Sequence, residues 1–227
     1  YEITTRLVGS EMCIRDSFKT SSDTVVGYAN DAYKTAGMSA NEYMETVTSF
    51  SASLLASMNN DTAAAAEKAN VAITDMSDNA NKMGTDISLI QNAYNGFAKQ
   101  NYTMLDNLKL GYGGTKEEMQ RLLDDASKLS GIKYDISSYS DVVDAIHVVQ
   151  TEMGITGTTA KEASTTIEGS VSSMSSAWDN WVAGMADSEA NFSQLTSNLV
   201  DSIVTVVGNI APRVIETVPR LVSGLGE

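Results

Sequence analysis

From Tyr43 onward the apolar residues of this chain step by three and four, and glycine punctuates the steps. Tyr43, Val47, Phe50 and Leu54 form one such series, Ile73, Met76, Ala80 and Met83 a second, and Ile87, Ile90, Tyr94 and Phe97 a third. That spacing puts each set on one face of an α-helix, whereas a half-buried strand would alternate every second residue. Proline, which breaks helices, appears only at Pro212 and Pro219. The one Asn-Gly pair, Asn95-Gly96, sits inside a helical pattern rather than between two strand-like runs.

Helix starts are legible too. Ser39 with Glu42, Thr115 with Glu118 and Thr159 with Glu162 have the capping-box spacing, and Asp61 stands ready to cap TAAAAEKANVAITDM. Gly84, Gly131 and Gly154 supply stops. Met119, Leu122, Leu123, Ala126 and Leu129 make the stripe of one helix, and Val142, Val143, Ile146, Val149 and Met153 that of the next. The passage YTMLDNLKLGYGGT reads as a turn-rich connection.

From Thr159 the series lengthens. Ile167, Val171, Met174, Trp178, Trp181 and Met185 continue it, enough for a helix of about 25 residues, roughly 38 Å long. These six form a candidate stripe for packing against a partner, and the plainer reading is contact with a neighbouring helix of the same chain. Phe192, Leu195, Leu199, Ile203, Val206 and Ile210 mark a last helix. Its apolar run from Leu199 to Ile210 is shorter than a bilayer needs and includes Asp201. The expected fold is therefore all-α: several short-to-medium amphipathic helices in an irregular bundle, a longer helix near 159–186, and a C-terminal helical extension.

Charge narrows the function. Asp and Glu number 29 against 15 Lys and Arg, a net charge of −14. Such a chain repels phosphate backbones, which argues against direct nucleic-acid binding. Chemistry is thinly represented. His147 is the single histidine, so no second imidazole shares a metal or completes a Ser-His dyad. GYGGTK, Gly111 to Lys116, precedes a helix but lacks P-loop spacing. Glu117 with Glu118 and Asp124 with Asp125 point apart on a helix and read as a solvated face. No catalytic, cofactor-binding or metal-ligating set emerges, and the expectation is a non-enzymatic protein without cofactor or small-molecule substrate.

Two resemblances go further than periodicity. LVGSEMCIRDS, Leu7 to Ser17, is similar to the translation of an adapter used in transposase-based sequencing libraries, so residues 1–17 are set aside as non-native, Cys13 with them. Three later segments, NDAYKTAGMSANEYMETVTSFSASLL, DMSDNANKMGTDISLIQNAYNGFAKQNYTMLDNLKLGYGG and VDAIHVVQTEMGITGTTAKEASTTIEGS, resemble the core region of tail tape measure proteins of phages and prophages of Gram-positive bacteria. The likeness runs from about Thr24 to Ala186. It implies residues 18–187 as a tape-measure core-like helical domain and 188–227 as a truncated apolar helical extension.

It also implies a structural virion component that sets tail length and acts in tail assembly and genome ejection. The implied partners are tail tube and tail-assembly chaperone proteins, with self-association open and membrane contact reserved for a region beyond this one. The implied location is the lumen of the tail tube, and the host cytoplasm during assembly. The competing classes are a chemoreceptor-like signalling coiled coil and a wall hydrolase. The first wants unbroken heptads, against the glycines at 84, 96, 111, 131 and 154. The second wants an acid/base or nucleophile set.

Overall fold

A computed structural model of the chain describes residues 11–185 and 190–224, the last of these by backbone alone beyond Ile215. Among the described residues every regular element is helical. After α1 (residues 11–18) and a 3-10 turn, Lys19–Ser21, come α2 (Ser22–Thr35), α3 (Ala40–Ser57), α4 (Thr62–Met83) and α5 (Ile87–Phe97). A second 3-10 turn, Leu105–Leu108, leads to α6 (Lys116–Ser130), α7 (Tyr139–Glu152), α8 (Thr158–Thr165), α9 (Ile167–Gly184) and α10 (Phe192–Gly224).

The helix α4 is the hub because its buried face is made of small residues. Ala65, Ala66, Ala69 and Ala72 are fully buried along it, followed by Ile73 and Met76. Alanines let neighbouring backbones come close, and α2, α3, α5, α7 and α8 all pack against this one helix. Tyr43, Phe50 and Leu54 of α3, Tyr94 and Phe97 of α5, and Val142, Val143 and Ile146 of α7 fill the space around it. Leu105, Leu108 and Leu110 of the turn-rich connection also enter the core.

Most of the starts and stops expected from the sequence are present. Ser39 Oγ accepts the Glu42 N–H, Thr115 Oγ1 accepts the Glu118 N–H, and Asp61 accepts from Ala63 and Ala64. Gly84 and Gly131 take left-handed conformations at φ +62° and +75°, closing α4 and α6. The described residues thus form an irregular all-α bundle with a long C-terminal helix.

Three expectations are corrected. Thr159 and Glu162 are no capping box: Gly157 is the N-cap of α8 and Thr159 lies inside the first turn. The longer helix begins at Ile167, because Thr166 adopts an extended conformation, φ −114° and ψ 156°, and caps α9 by accepting the Gly169 N–H. Leu129 and Met153 end their stripes in solvent, 50% and 44% exposed, since each lies at the last turn of its helix. Residues 11–18 form α1, which seats Ile14 and Phe18 in the core with no exposure. That burial bears on packing and not on the origin of the segment. Residues 1–10, and the expected boundary between 187 and 188, lie outside the described residues.

Candidate interaction surface

Two faces of α9 carry helical periodicity, and the fold buries the one with the smaller side chains. Ser170, Ser173, Ser176, Ala177, Asn180, Ala183 and Gly184 face inward. Their size allows close approach, and their polar atoms find partners: Ser176 Oγ donates to the Gly37 carbonyl at 3.2 Å, and Asn180 Oδ1 accepts the Ala40 N–H at 2.7 Å. The second bond satisfies a free amide in the first turn of α3 from outside that helix.

The stripe singled out in the sequence points largely the other way. Ile167, Val171, Trp178 and Met185 are 40–55% exposed, and Met174 and Trp181 are half-buried. Trp181 is the half-buried member of the tryptophan pair and Trp178 the exposed one. Apolar spacing did not reveal this, because the inward face shares the period and scores as polar.

Helix α10 returns antiparallel beside α9. Phe192, at its start, packs at a tilt against Trp181 with ring centroids 5.4 Å apart, and the Trp181 indole N–H donates to Thr196 Oγ1 at 3.1 Å. At the other end, the Asn209 amide donates to the Thr166 carbonyl at 3.1 Å. Leu199 joins Tyr33 of α2 and Ala177 in a small buried cluster beside Trp181. Burial there pushes the Tyr33 phenol above its usual value. Trp178 extends the aromatic row, its ring 5.4 Å from that of Trp181.

Outward, α10 presents Ile203, Val204, Val207 and Val214, each 43–63% exposed. Asp201 is the single charged residue between Phe192 and Pro212. The helix outruns the apolar segment visible in the sequence, which corrects the length argument made there. The stretch Phe192–Ile215 is long and apolar enough to cross a membrane by length and composition alone, with a mean hydropathy of 1.2 and 22% of it buried. Exposed apolar side chains gathered on α9 and α10 make this helix pair the candidate binding surface among the described residues.

The other sequence candidates resolve into structural roles. In the GYGGTK loop the Gly113 N–H is taken by the Glu118 carboxylate at 3.0 Å, and Arg121 reaches the Gly111 carbonyl while its guanidinium lies 4.4 Å from the Tyr112 ring centroid. The loop amide is thus satisfied by a carboxylate in the first turn of α6. Of the paired acids, Glu118 and Asp125 are held by Arg121 and Lys128, which lowers both carboxyls, so only Glu117 and Asp124 form the expected solvated face. His147 Nδ1 lies 2.9 Å from Asp75 Oδ1, a buried partner on α4 that sequence spacing could not disclose. Among the described residues no group of three or more His, Cys, Asp or Glu is arranged to hold a metal ion. No protein-family model, curated protein or solved structure matches this chain.

Proposed function

We propose that this chain is part of a phage tail tape measure protein, a structural component that sets tail length and acts in tail assembly and genome ejection. The resemblance of the segments around Asn30, Asp75 and Val143 supports the reading at the level of sequence. The structural observation that carries it is the uncovered α9–α10 face, in which Trp178, Val204 and Val207 are more than half exposed beside a charge-poor helix. A subunit that works by assembling needs such a face, and tail tube or tail-assembly chaperone proteins are the partners we assign to it. The proposal includes no catalytic step and no cofactor, and it locates the chain in the tail tube lumen after assembly in the host cytoplasm.

The deciding experiment is genetic. In a producing phage, replacing Trp178 and Val207 together by Glu should abolish tails or yield aberrant ones in electron micrographs, while capsids still form. Tails of normal number and length from that variant would overturn the reading. The long α10 beside α9 favours a second reading, a bacterial signalling coiled coil. Tail-tube genes next to the coding sequence support the first, and a histidine-kinase operon supports the second.

A further inference from the structure

Helix α10 carries two seams, and the bundle uses one of them. Leu195, Leu199, Ser202, Val206 and Asn209 recur at four, three, four and three, and all are buried or half-buried beside α9 and α2. On the opposite side of the helix, Val200, Val204, Val207, Ala211 and Val214 keep the same alternation. The four valines of this second series are each about half exposed or more. In the sequence the series runs on to Val218 and Leu221, within the span of the same helix, Phe192–Gly224.

The period points to a helix as the occupant. An apolar face that meets lipid needs no fixed register, whereas a repeat held at 3.5 residues per turn keeps one stripe against a partner helix. Pro212 and Pro219, themselves seven apart, stand at one position outside the seam. Charge then selects which helix. With Val200 as a d position, the flanking e and g positions from Asp201 to Val222 hold one charge, that of Asp201. A basic partner would be met by a rim of carboxylates, which this strongly acidic chain could readily supply and does not supply here. A contact between copies has the opposite need: two chains of net charge −14 repel, so they meet best where charge is absent.

We propose that α10 pairs with α10 of a second copy of this chain, through Val200, Val204, Val207, Ala211 and Val214, as a coiled coil. The inference does not rest on the tail reading, and it leaves Trp178 on α9 to partners of other kinds. The inner seam anchors each α10 to its own bundle, so the outer seam is held helical before pairing and little ordering entropy opposes association.

Sedimentation velocity of the full chain, with reductant present because Cys13 is exposed, tests this. Association should rise with concentration. Val204→Glu/Val207→Glu puts carboxylates at the centre of the paired seam and should weaken association by about a hundredfold. Both valines are exposed in the single chain, so the helix content by circular dichroism should stay unchanged. Trp178→Glu alters a comparably exposed apolar residue on α9 and should associate as wild type. A wild type that remains monomeric up to about 100 µM would overturn the proposal. So would association that persists in the double variant, or that weakens by the same factor in Trp178→Glu. Flotation of monomeric wild type with phosphatidylcholine vesicles would assign the seam to lipid and overturn it as well.

Discussion

Asp78 of α4 caps a helix to which it does not belong: its Oδ2 accepts the Gly157 N–H at 2.6 Å and its Oδ1 the Thr159 N–H at 2.8 Å. The carboxylate is fully buried, and the first turn of α8 has no side-chain cap of its own. A negative charge at a helix N-terminus is favourable both as an acceptor and against the helix dipole. This contact fixes α8, and through it the elbow to α9, upon the core. Asp78→Ala removes the acceptor of two part-buried amides and leaves a cavity where a buried carboxylate stood, and should lower unfolding stability by about 1–3 kcal/mol in urea titrations. Asp78→Asn retains one acceptor and should cost less.

The pairing of His147 with Asp75 carries a pH dependence of known sign. The hydrogen bond to Asp75 raises the imidazole above its usual 6.5, against the opposing effect of partial burial. Burial in turn raises the Asp75 carboxyl, with His147 opposing. Both groups hold protons more tightly folded than unfolded, so their contribution is present at low pH and is lost as pH climbs. Asp144 on α7 reinforces the His147 shift and Lys68 on α4 opposes it. Carboxyls lowered by local hydrogen bonds, such as Asp86 and Asp135, act in the opposite sense only at acid pH. The urea midpoint should therefore fall above pH 6.5 in the wild type, and this fall should be absent in His147→Gln. Parallel profiles for the two proteins would remove His147 as the source.

Features encoded within one turn of helix were readable, and features encoded across the fold were not. Ser39, Asp61, Thr115, Gly84 and Gly131 act on backbone groups within a few residues of themselves, so spacing alone finds them. The cap of α8 comes from Asp78, and the cap of α3 is completed by Asn180, 140 positions away. No local pattern contains that information. The elbow at Thr166 escaped because the apolar series from Ala163 through Ile167 to Val171 keeps its period across the break. The candidate surface was half legible: its residues were identified, but their outward direction follows from serines, an asparagine and a glycine that hydropathy counts as weak.

Trp178 and Trp181 are the only tryptophans and both lie on α9, so indole fluorescence reports on the α9–α10 pair specifically. Trp181 is held by Phe192 and by its bond to Thr196, whereas Trp178 is 51% exposed. Trp181→Ala should cost about 2 kcal/mol, less than the 3–5 expected for a fully buried ring. Trp178→Ala should cost under about 1 kcal/mol, as a surface change does. The fluorescence of Trp178 should also move to longer wavelength once Trp181 is gone, because its stacking partner has left.

Gly169 and Gly27 separate the effect of close packing from that of helix propensity. Both lie in helices, where alanine is intrinsically preferred by about 0.5–1 kcal/mol. A Cβ at Gly27 meets nothing within 4 Å, so Gly27→Ala should stabilise the protein by roughly that amount. A Cβ at Gly169 would lie 2.5 Å from the carbonyl carbon and oxygen of Glu162, which are backbone and cannot rotate aside. Gly169→Ala must open the elbow between α8 and α9, outweighing its propensity gain, and should destabilise by about 1–3 kcal/mol. The strain would be passed to the Thr166 cap and to the Asp78 amide bonds. Hydrogen exchange at the Gly157 and Thr159 amides should therefore quicken in Gly169→Ala and stay slow in Gly27→Ala. Equal protection in both variants would mean that the elbow does not depend on this contact.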